Sequence, residues 1–177
     1  CTGAGVLSRE VSDPINARTL AKAEQMGLPI MTICSTCQGC LMQANHRLKK
    51  DNAYRETINR NYLSEEGLEY KGTTEVKHFL WVLDEDFGLE NLKKMVVNPI
   101  SKLKVSPFYG CYLRRPPEIV VPPGKEGRKK ALENTIAALG GEVIAIKGKG
   151  KCCGFPILIP NEKNSLDMCG DHTLEAK

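Results

Sequence analysis

Apolar residues recur along the chain at two spacings, helical and strand-like, and the alternation between them sets out the expected elements. From Ser12 to Gly27, Ala17, Leu20 and Ala21 fall at i, i+3 and i+4 on one helical face. Ser12 or Asp13 caps that helix, Pro14 suits its first position, and Gly27 suits its end. Leu28 to Ile33 is an apolar run of strand length that stops at Cys34. A second helix runs from about Thr36 to Lys50, with Cys37, Leu41, Ala44 and Leu48 along one side. Asp51–Leu63 is polar and helical, Ser64–Thr74 reads as a loop, and Glu75–His78 as a short strand. Phe79–Phe87 and Leu89–Val97 are helical pieces parted by Gly88.

Asn98-Pro99 marks the expected boundary between two domains, residues 1–98 and 99–177. The second begins with an alternating strand, Leu103–Ser106, which leads through Pro107 and Gly110 to Cys111. After a Pro- and Gly-rich loop from Arg114 to Gly124, Lys125–Leu139 forms a helix with Leu132, Ile136 and Leu139 on one face. Gly140-Gly141 stops it, and Val143–Ile146 reads as a buried strand. Strands alternating with helices predict an α/β fold with small, mostly parallel sheets flanked by helices. Cys34, Cys111 and Cys152-Cys153 each lie at, or a few residues past, the C-terminal end of a predicted strand. Sites in parallel sheets form at those ends, so cysteines distant in sequence can converge there.

Composition narrows the function. The chain has 177 residues, 41% hydrophobic and 26% charged, with a net charge of +4. Basic residues are mixed with acids (Arg47, Lys49 and Lys50 beside Asp51; Lys93 and Lys94 near Glu90), as on solvated helix faces, which argues against a nucleic-acid partner. The longest apolar stretches, Leu28–Cys34 and Phe155–Ile159, are too short to span a bilayer. The chain starts at Cys rather than Met and is read as truncated at both ends.

Eight cysteines remain to be explained. Cys152 and Cys153 are adjacent, and two neighbouring thiols cannot both point into one apolar core, whereas both can bind a metal cluster. Cys34-x-x-Cys37 and the overlapping Cys37-x-x-Cys40 add ligand-like spacing. A chain with ordinary core composition does not need disulfide staples, so metal or cluster ligation in a reducing cytoplasm is the expectation. Laying Cys1-Thr2-Gly3 on Cys152-Cys153-Gly154 also brings Thr19-Leu20-Ala21-Lys22 close to Thr173-Leu174-Glu175-Ala176-Lys177. This internal repeat predicts a second Cys-x-x-Cys near residue ~188, and a partner of Cys111 roughly 40 residues before Cys1.

A lone cysteine, then Cys-Cys-Gly, then Cys-x-x-Cys resembles the cysteine-rich CCG domain, found twice in the B-type subunit of heterodisulfide reductase. It recurs in the related iron–sulfur subunit of E-type succinate dehydrogenases and fumarate reductases. "MTICSTCQGCLMQANHRL", "EVKHFLWVL", "PFYGCYLRRP" and "KCCGFPILI" look like the corresponding blocks of this family. The resemblance implies iron–sulfur clusters, of the non-cubane 4Fe–4S type where five cysteines are present and a disulfide is cleaved. It assigns Cys111, Cys152 and Cys153 to a second, non-cubane site completed beyond Lys177, and Cys1, Cys34 and Cys37 to a first site. Thr2 replaces a cysteine in the first motif, leaving at most four motif thiolates, which suits a cubane 4Fe–4S cluster or zinc. Alternatively, Cys40 supplies a fifth thiolate.

The remaining candidates carry blander readings. Cys169 reads as a free thiol, His46 as a surface or packing residue, His78 as a satisfied core histidine, and His172 as no ligand. Trp81, Phe79 and Leu80 read as core, while Arg114-Arg115 either neutralise an anionic cluster or substrate or are simply solvated. Gly148, Gly150 and Gly154 let backbone approach sulfur.

Three functions follow. The first is an oxidoreductase subunit of the heterodisulfide-reductase type that delivers electrons to a disulfide substrate. The second is an electron-transfer subunit linking a succinate- or fumarate-handling flavoprotein to quinone. The third is a zinc-stabilised scaffold without redox chemistry. The first two imply iron–sulfur or flavin-containing partner subunits, and a cytoplasmic place that extends to the inner face of the membrane through partners.

Overall fold

A computed structural model describes residues 8–176 of the chain. They divide into two compact units, one reaching to His78 and the other beginning at Phe79. Cys1 and Thr2 lie outside the described residues. Both units have the expected α/β character, with parallel strands flanked by helices.

The first unit begins with α1, Arg9–Gln25, capped by Ser8, whose hydroxyl accepts the Glu10 amide at 3.1 Å. Ser12 and Asp13, the expected caps, instead lie inside the helix and are buried. The Asp13 carboxylate pairs with Arg47 and accepts the Tyr54 hydroxyl at 3.1 Å, so it serves a cross-helix contact rather than the helix start. Gly27 ends α1 at φ +67° in a Schellman turn, with Leu28 N–H reaching Ala23 O at 3.0 Å and Gly27 N–H reaching Glu24 O at 2.9 Å. Strand β1, Ile30–Thr32, pairs in parallel with β2, Val76–His78, with Ile30 opposite Val76. Between them run α2, Ser35–Lys50, and α3, Asn52–Ile58, which continues as a π-helical turn, Asn59–Leu63.

A two-stranded sheet is not stable by itself, so these strands depend on the helices that cover them. Ala17, Leu20 and Ala21 of α1 and Leu41 and Leu48 of α2 form the core with Ile58, Leu63, Leu68 and Tyr70. Two polar clasps close the long connection to β2. The Glu24 carboxylate accepts the amides of Lys71 and Thr73 at 2.5 and 2.6 Å, and Asn45 donates to Thr74 O at 2.9 Å.

In the second unit, α4 (Phe79–Trp81) runs into a π-helical turn, Val82–Phe87, and α5, Leu89–Met95, follows Gly88. These elements pack on α7, Ala131–Ala138, so the compact units divide upstream of Asn98-Pro99. A compact unit is defined by its packing and a sequence repeat by its motifs, so the two need not share a boundary. Strand β3, Lys104–Val105, pairs in parallel with β4, Glu142–Val143, and Ile144 N–H extends the ladder to Val105 O at 3.0 Å. The loop between β3 and α7 contains a short helix, α6, Pro117–Val120, and α7 is entered through a 3₁₀ stretch, Glu126–Lys130. Gly140, at φ +87°, closes α7 in a second Schellman turn, Gly141 N–H to Ile136 O at 3.0 Å. The last element, α8 (Glu162–Ala176), starts at Asn161, whose side chain accepts the Asn164 amide at 3.1 Å.

Trp81 is buried as expected, beneath the Arg128 guanidinium at 4.2 Å from the ring centroid. Arg128 and Lys125 both pair with Glu85, at 2.6 and 3.0 Å. Burial tends to raise the Glu85 carboxyl, but hydrogen bonds from Arg128 and Lys125 outweigh it and hold the group at about 2, below its ordinary 4.5. A carboxyl depressed on folding stabilises the chain above its unfolded value and loses that contribution as pH falls through the folded one. Stability of the second unit is therefore expected to drain between pH 4.5 and about 2. Urea unfolding across this range checks it: Glu85→Gln lowers stability at neutral pH and flattens the acid slope, whereas an unchanged slope contradicts the assignment.

Candidate metal centre

In the first unit, Cys34 follows β1 directly and stands at the N-cap of α2. Its thiol is exposed, while Cys37 is half-buried and Cys40, one turn on, is buried. The Cys37 amide, and after it the Thr36 amide, favours a thiolate at Cys34 and holds that thiol below its ordinary value against a modest burial cost. Burial raises Cys37, and the neighbouring Cys34 sulfur adds to the rise. This pair therefore offers one thiolate-favouring sulfur and one that prefers its proton.

Two buried polar side chains fix this turn. Gln38 accepts the Thr32 hydroxyl at 2.6 Å and donates to Val76 O at 3.4 Å, tying the first turn of α2 to the ends of β1 and β2. His78 Nε2 donates to Ile33 O at 2.8 Å, the carbonyl just before Cys34. Burial pushes the His78 imidazole below its ordinary value, and that hydrogen bond opposes the shift. The histidine is the satisfied core residue expected from the sequence. His46 is exposed, also as expected.

In the second unit, Gly110 turns the chain at φ +65° into Cys111, whose carbonyl accepts the Arg114 and Arg115 amides at 3.0 and 2.9 Å. The Tyr109 amide donates to Lys149 O at 2.7 Å, drawing this turn to the segment before Cys152. Burial raises the Cys111 thiol, and the charge and hydrogen bond of the Cys152 sulfur raise it further, with a smaller push from Cys153. Cys111 and Cys152, about forty residues apart in sequence, are thus brought close enough for their sulfurs to interact, across a separation that one βαβ crossover spans. Cys111 and Cys152 are half-buried and Cys153 is exposed. Tyr109 anchors the pair of turns: its hydroxyl donates to Glu133 and accepts the Leu132 amide at 2.9 Å, and Lys149 Nζ meets the other Glu133 oxygen at 2.9 Å.

The Cys152–Gly154 turn has a tight fit. Gly154 takes φ +84°, and its amide donates to Cys152 Sγ at 3.5 Å. A Cβ on Gly154 would lie 2.6 Å from Ser165 O on α8. Gly154 therefore does bring backbone to sulfur. Arg114 stacks over the Tyr109 ring at 5.0 Å and donates to Lys129 O at 2.9 Å, so it braces the turn. Cys169 is an exposed thiol on α8.

The chemistry of the donor set fits an iron–sulfur cluster or a thiolate-bound metal: soft sulfurs at two turns, each with a backbone amide aimed at a sulfur. Among the described residues, no three cysteine, histidine or carboxylate side chains already stand in a metal-holding group. The histidine that sequence reasoning misses is His172, whose Nε2 donates to Cys152 O at 2.9 Å.

Residues 105–176 match the family model of the cysteine-rich domain CCG. The chain is 37% identical over 175 residues to the 8-methylmenaquinol:fumarate reductase membrane anchor subunit of Wolinella succinogenes, covering 95% of this chain and 58% of that protein. It is 35% identical over 144 residues to the B-type subunit of the ferredoxin/F(420)H(2)-dependent CoB-CoM heterodisulfide reductase of Methanosarcina acetivorans, covering 78% and 45%. A protein of Archaeoglobus profundus, itself like the B-type subunit of heterodisulfide reductase, is 32% identical over 147 residues, covering 81% and 48%. The chain spans about half the length of the curated relatives it matches.

Two glycines, Gly154 at the contact with Ser165 and Gly170 elsewhere on α8, have opposite expectations. Gly154→Ala forces a left-handed Cβ into the α8 backbone and is expected to destabilise the second unit by about 2–4 kcal/mol. Gly170→Ala, inside α8 with nothing within 4 Å of its added Cβ, is expected to be neutral or stabilising by about 0.5–1 kcal/mol. Thermal unfolding of both variants checks the pair; equal melting temperatures contradict the packing described.

Proposed function

The chain belongs to the cysteine-rich CCG-domain family, and from that premise we propose that it is an iron–sulfur electron-transfer subunit of a multisubunit oxidoreductase. The observation that carries the reading is the convergence of Cys111 and Cys152, with Cys153 exposed beside them. In this reading the second site takes Cys111, Cys152 and Cys153 as ligands, completed by residues outside the chain, and holds a non-cubane 4Fe–4S cluster. The first site takes Cys1, Cys34 and Cys37 and, with Thr2 in place of a cysteine, holds a cubane cluster or zinc. The repeat boundary falls at Asn98-Pro99.

A bound cluster would supply the one-electron steps; the protein supplies position, access and hydrogen bonds to sulfur. The Gly154 amide on Cys152 Sγ spreads negative charge from that sulfur. Burial around Cys111 disfavours a free thiolate there, so its ligation releases a proton. Exposure of Cys153 leaves the site open to an incoming group, which supports a disulfide as electron acceptor.

A second reading, a quinone-linked subunit of a fumarate- or succinate-handling complex, is favoured by the 37% identity that runs through 95% of the chain to the Wolinella subunit. Among the described residues no helix is long and apolar enough to cross a membrane. In either reading the partners are iron–sulfur or flavin subunits. A cytoplasmic location extending to the inner membrane face through those partners is part of the proposal.

Anaerobic purification of the full-length protein tests the reading. Iron and acid-labile sulfide in equal amounts, about four of each per complete motif, are expected; zinc without sulfide would overturn it. Oxidation of the reduced protein by a small disulfide but not by a menaquinone analogue supports the first reading, and the reverse supports the second.

A further inference from the structure

Helix α8 meets the cysteine loop at three places. Ser165 lies against Gly154. Glu175 accepts the Gly148 amide at 2.8 Å and also accepts the Lys147 amide, so the start of the loop is held from the helix's last turn. Between these, His172 Nε2 is 2.9 Å from Cys152 O, and its ring meets Phe108 edge-on with centroids 4.7 Å apart. Because a carbonyl only accepts, Nε2 carries the proton. His172 thus reaches from α8 to the backbone of the cysteine pair itself.

The same device stands in the first unit, where His78 donates to Ile33 O, the carbonyl just before Cys34. In both units a histidine on a neighbouring element fixes a backbone carbonyl at the cysteine turn. The internal repeat adds a contrast. Matching Thr19-Leu20 to Thr173-Leu174 puts Arg18 in the place of His172. Arg18 is committed elsewhere, to Glu66 at 2.6 and 2.8 Å. The repeat that has Thr2 in place of its second cysteine has no histidine there, and the repeat with both cysteines has one.

We propose that His172 is a positioning residue for the Cys152-Cys153 pair, fixing through the Cys152 carbonyl the direction in which the two sulfurs are presented to a cluster. The inference rests on the reading of Cys111, Cys152 and Cys153 as ligands, but the hydrogen bond acts on the loop whether or not a cluster is present. A ring that served only to pack on Phe108 would be replaceable by phenylalanine. A ring that serves as a donor would be replaceable by glutamine.

The test uses the full-length protein, held anaerobically, as wild type, His172→Phe and His172→Gln. In metal-stripped protein, iodoacetamide labelling of Cys152 and Cys153 is followed by mass spectrometry, with Cys34 as internal control. His172→Phe is expected to change the labelling rates of the pair about fivefold, the ratio set by loss of one hydrogen bond. His172→Gln stays within about twofold of wild type, and Cys34 is unaffected. After cluster reconstitution, the low-temperature paramagnetic signal of the second site shifts in the Phe variant and is restored in the Gln variant. Phe and Gln variants that behave alike overturn the proposal.

Should His172→Phe fail to fold, nitrogen chemical shifts of the wild-type imidazole decide the matter, since a neutral ring protonated on Nδ1 overturns it and a proton on Nε2 supports it. If wild type takes up no iron at the second site while labelling still depends on the donor, the cluster reading fails and the positioning role stands. If the cluster forms and all three proteins match, the positioning role alone fails.

Discussion

Contact between Gly154 and Ser165 is the constraint on which the second cysteine turn depends. A left-handed glycine at φ +84° lets the chain reverse after Cys153, and the missing Cβ lets that reversal press on the α8 backbone. From there the loop is pinned along its length: by Glu175 at Lys147 and Gly148, by Tyr109 N–H at Lys149 O, and by His172 at Cys152 O. A loop with so many backbone groups satisfied from outside cannot choose its own course, and the sulfurs inherit the geometry of the elements around it.

The first unit reaches a similar end by other means. Cys34 caps α2 where β1 runs out, and the position of that junction is set by Gln38 spanning Thr32 and Val76. Behind it, the buried Asp13 carboxylate joins α1 to α2 through Arg47 and to α3 through Tyr54. Removing Arg47 would leave that buried carboxylate without its partner at a cost of about 3–5 kcal/mol, far more than breaking an exposed ion pair such as Arg18–Glu66. Helix placement therefore determines where the Cys-x-x-Cys turn opens.

Much of this is legible in the sequence, for reasons that differ by element. The Leu41, Ala44 and Leu48 spacing gives α2, and Gly27 and Gly140 mark helix ends because both sites need positive φ. The start of α1 is misleading because Ser12, Asp13 and Pro14 imitate a cap, and only the distant Arg47 reveals why Asp13 is buried. Helix α8 escapes sequence reasoning: it has little apolar periodicity and carries Gly170 in its middle, and among its described side chains Ser165 is the buried one. Its signal is the Asn161 cap. Of the site, the sequence puts Cys111 and Cys152 just past strand ends, and the Cys152 sulfur does act on the Cys111 thiol. His172 is easily passed over because its partner is a backbone carbonyl, which leaves no trace in residue type or spacing.

These parts join in one claim, that the Cys152-Cys153 pair and Cys111 hold a cluster distinct from whatever the first turn holds. Electron paramagnetic resonance of the full-length protein carrying Cys153→Ser addresses it most directly, with the wild type measured alongside under identical reduction. Loss or replacement of one cluster signal, with any signal from the first site intact, is the predicted result. A spectrum identical to wild type, with the same iron content, would contradict it.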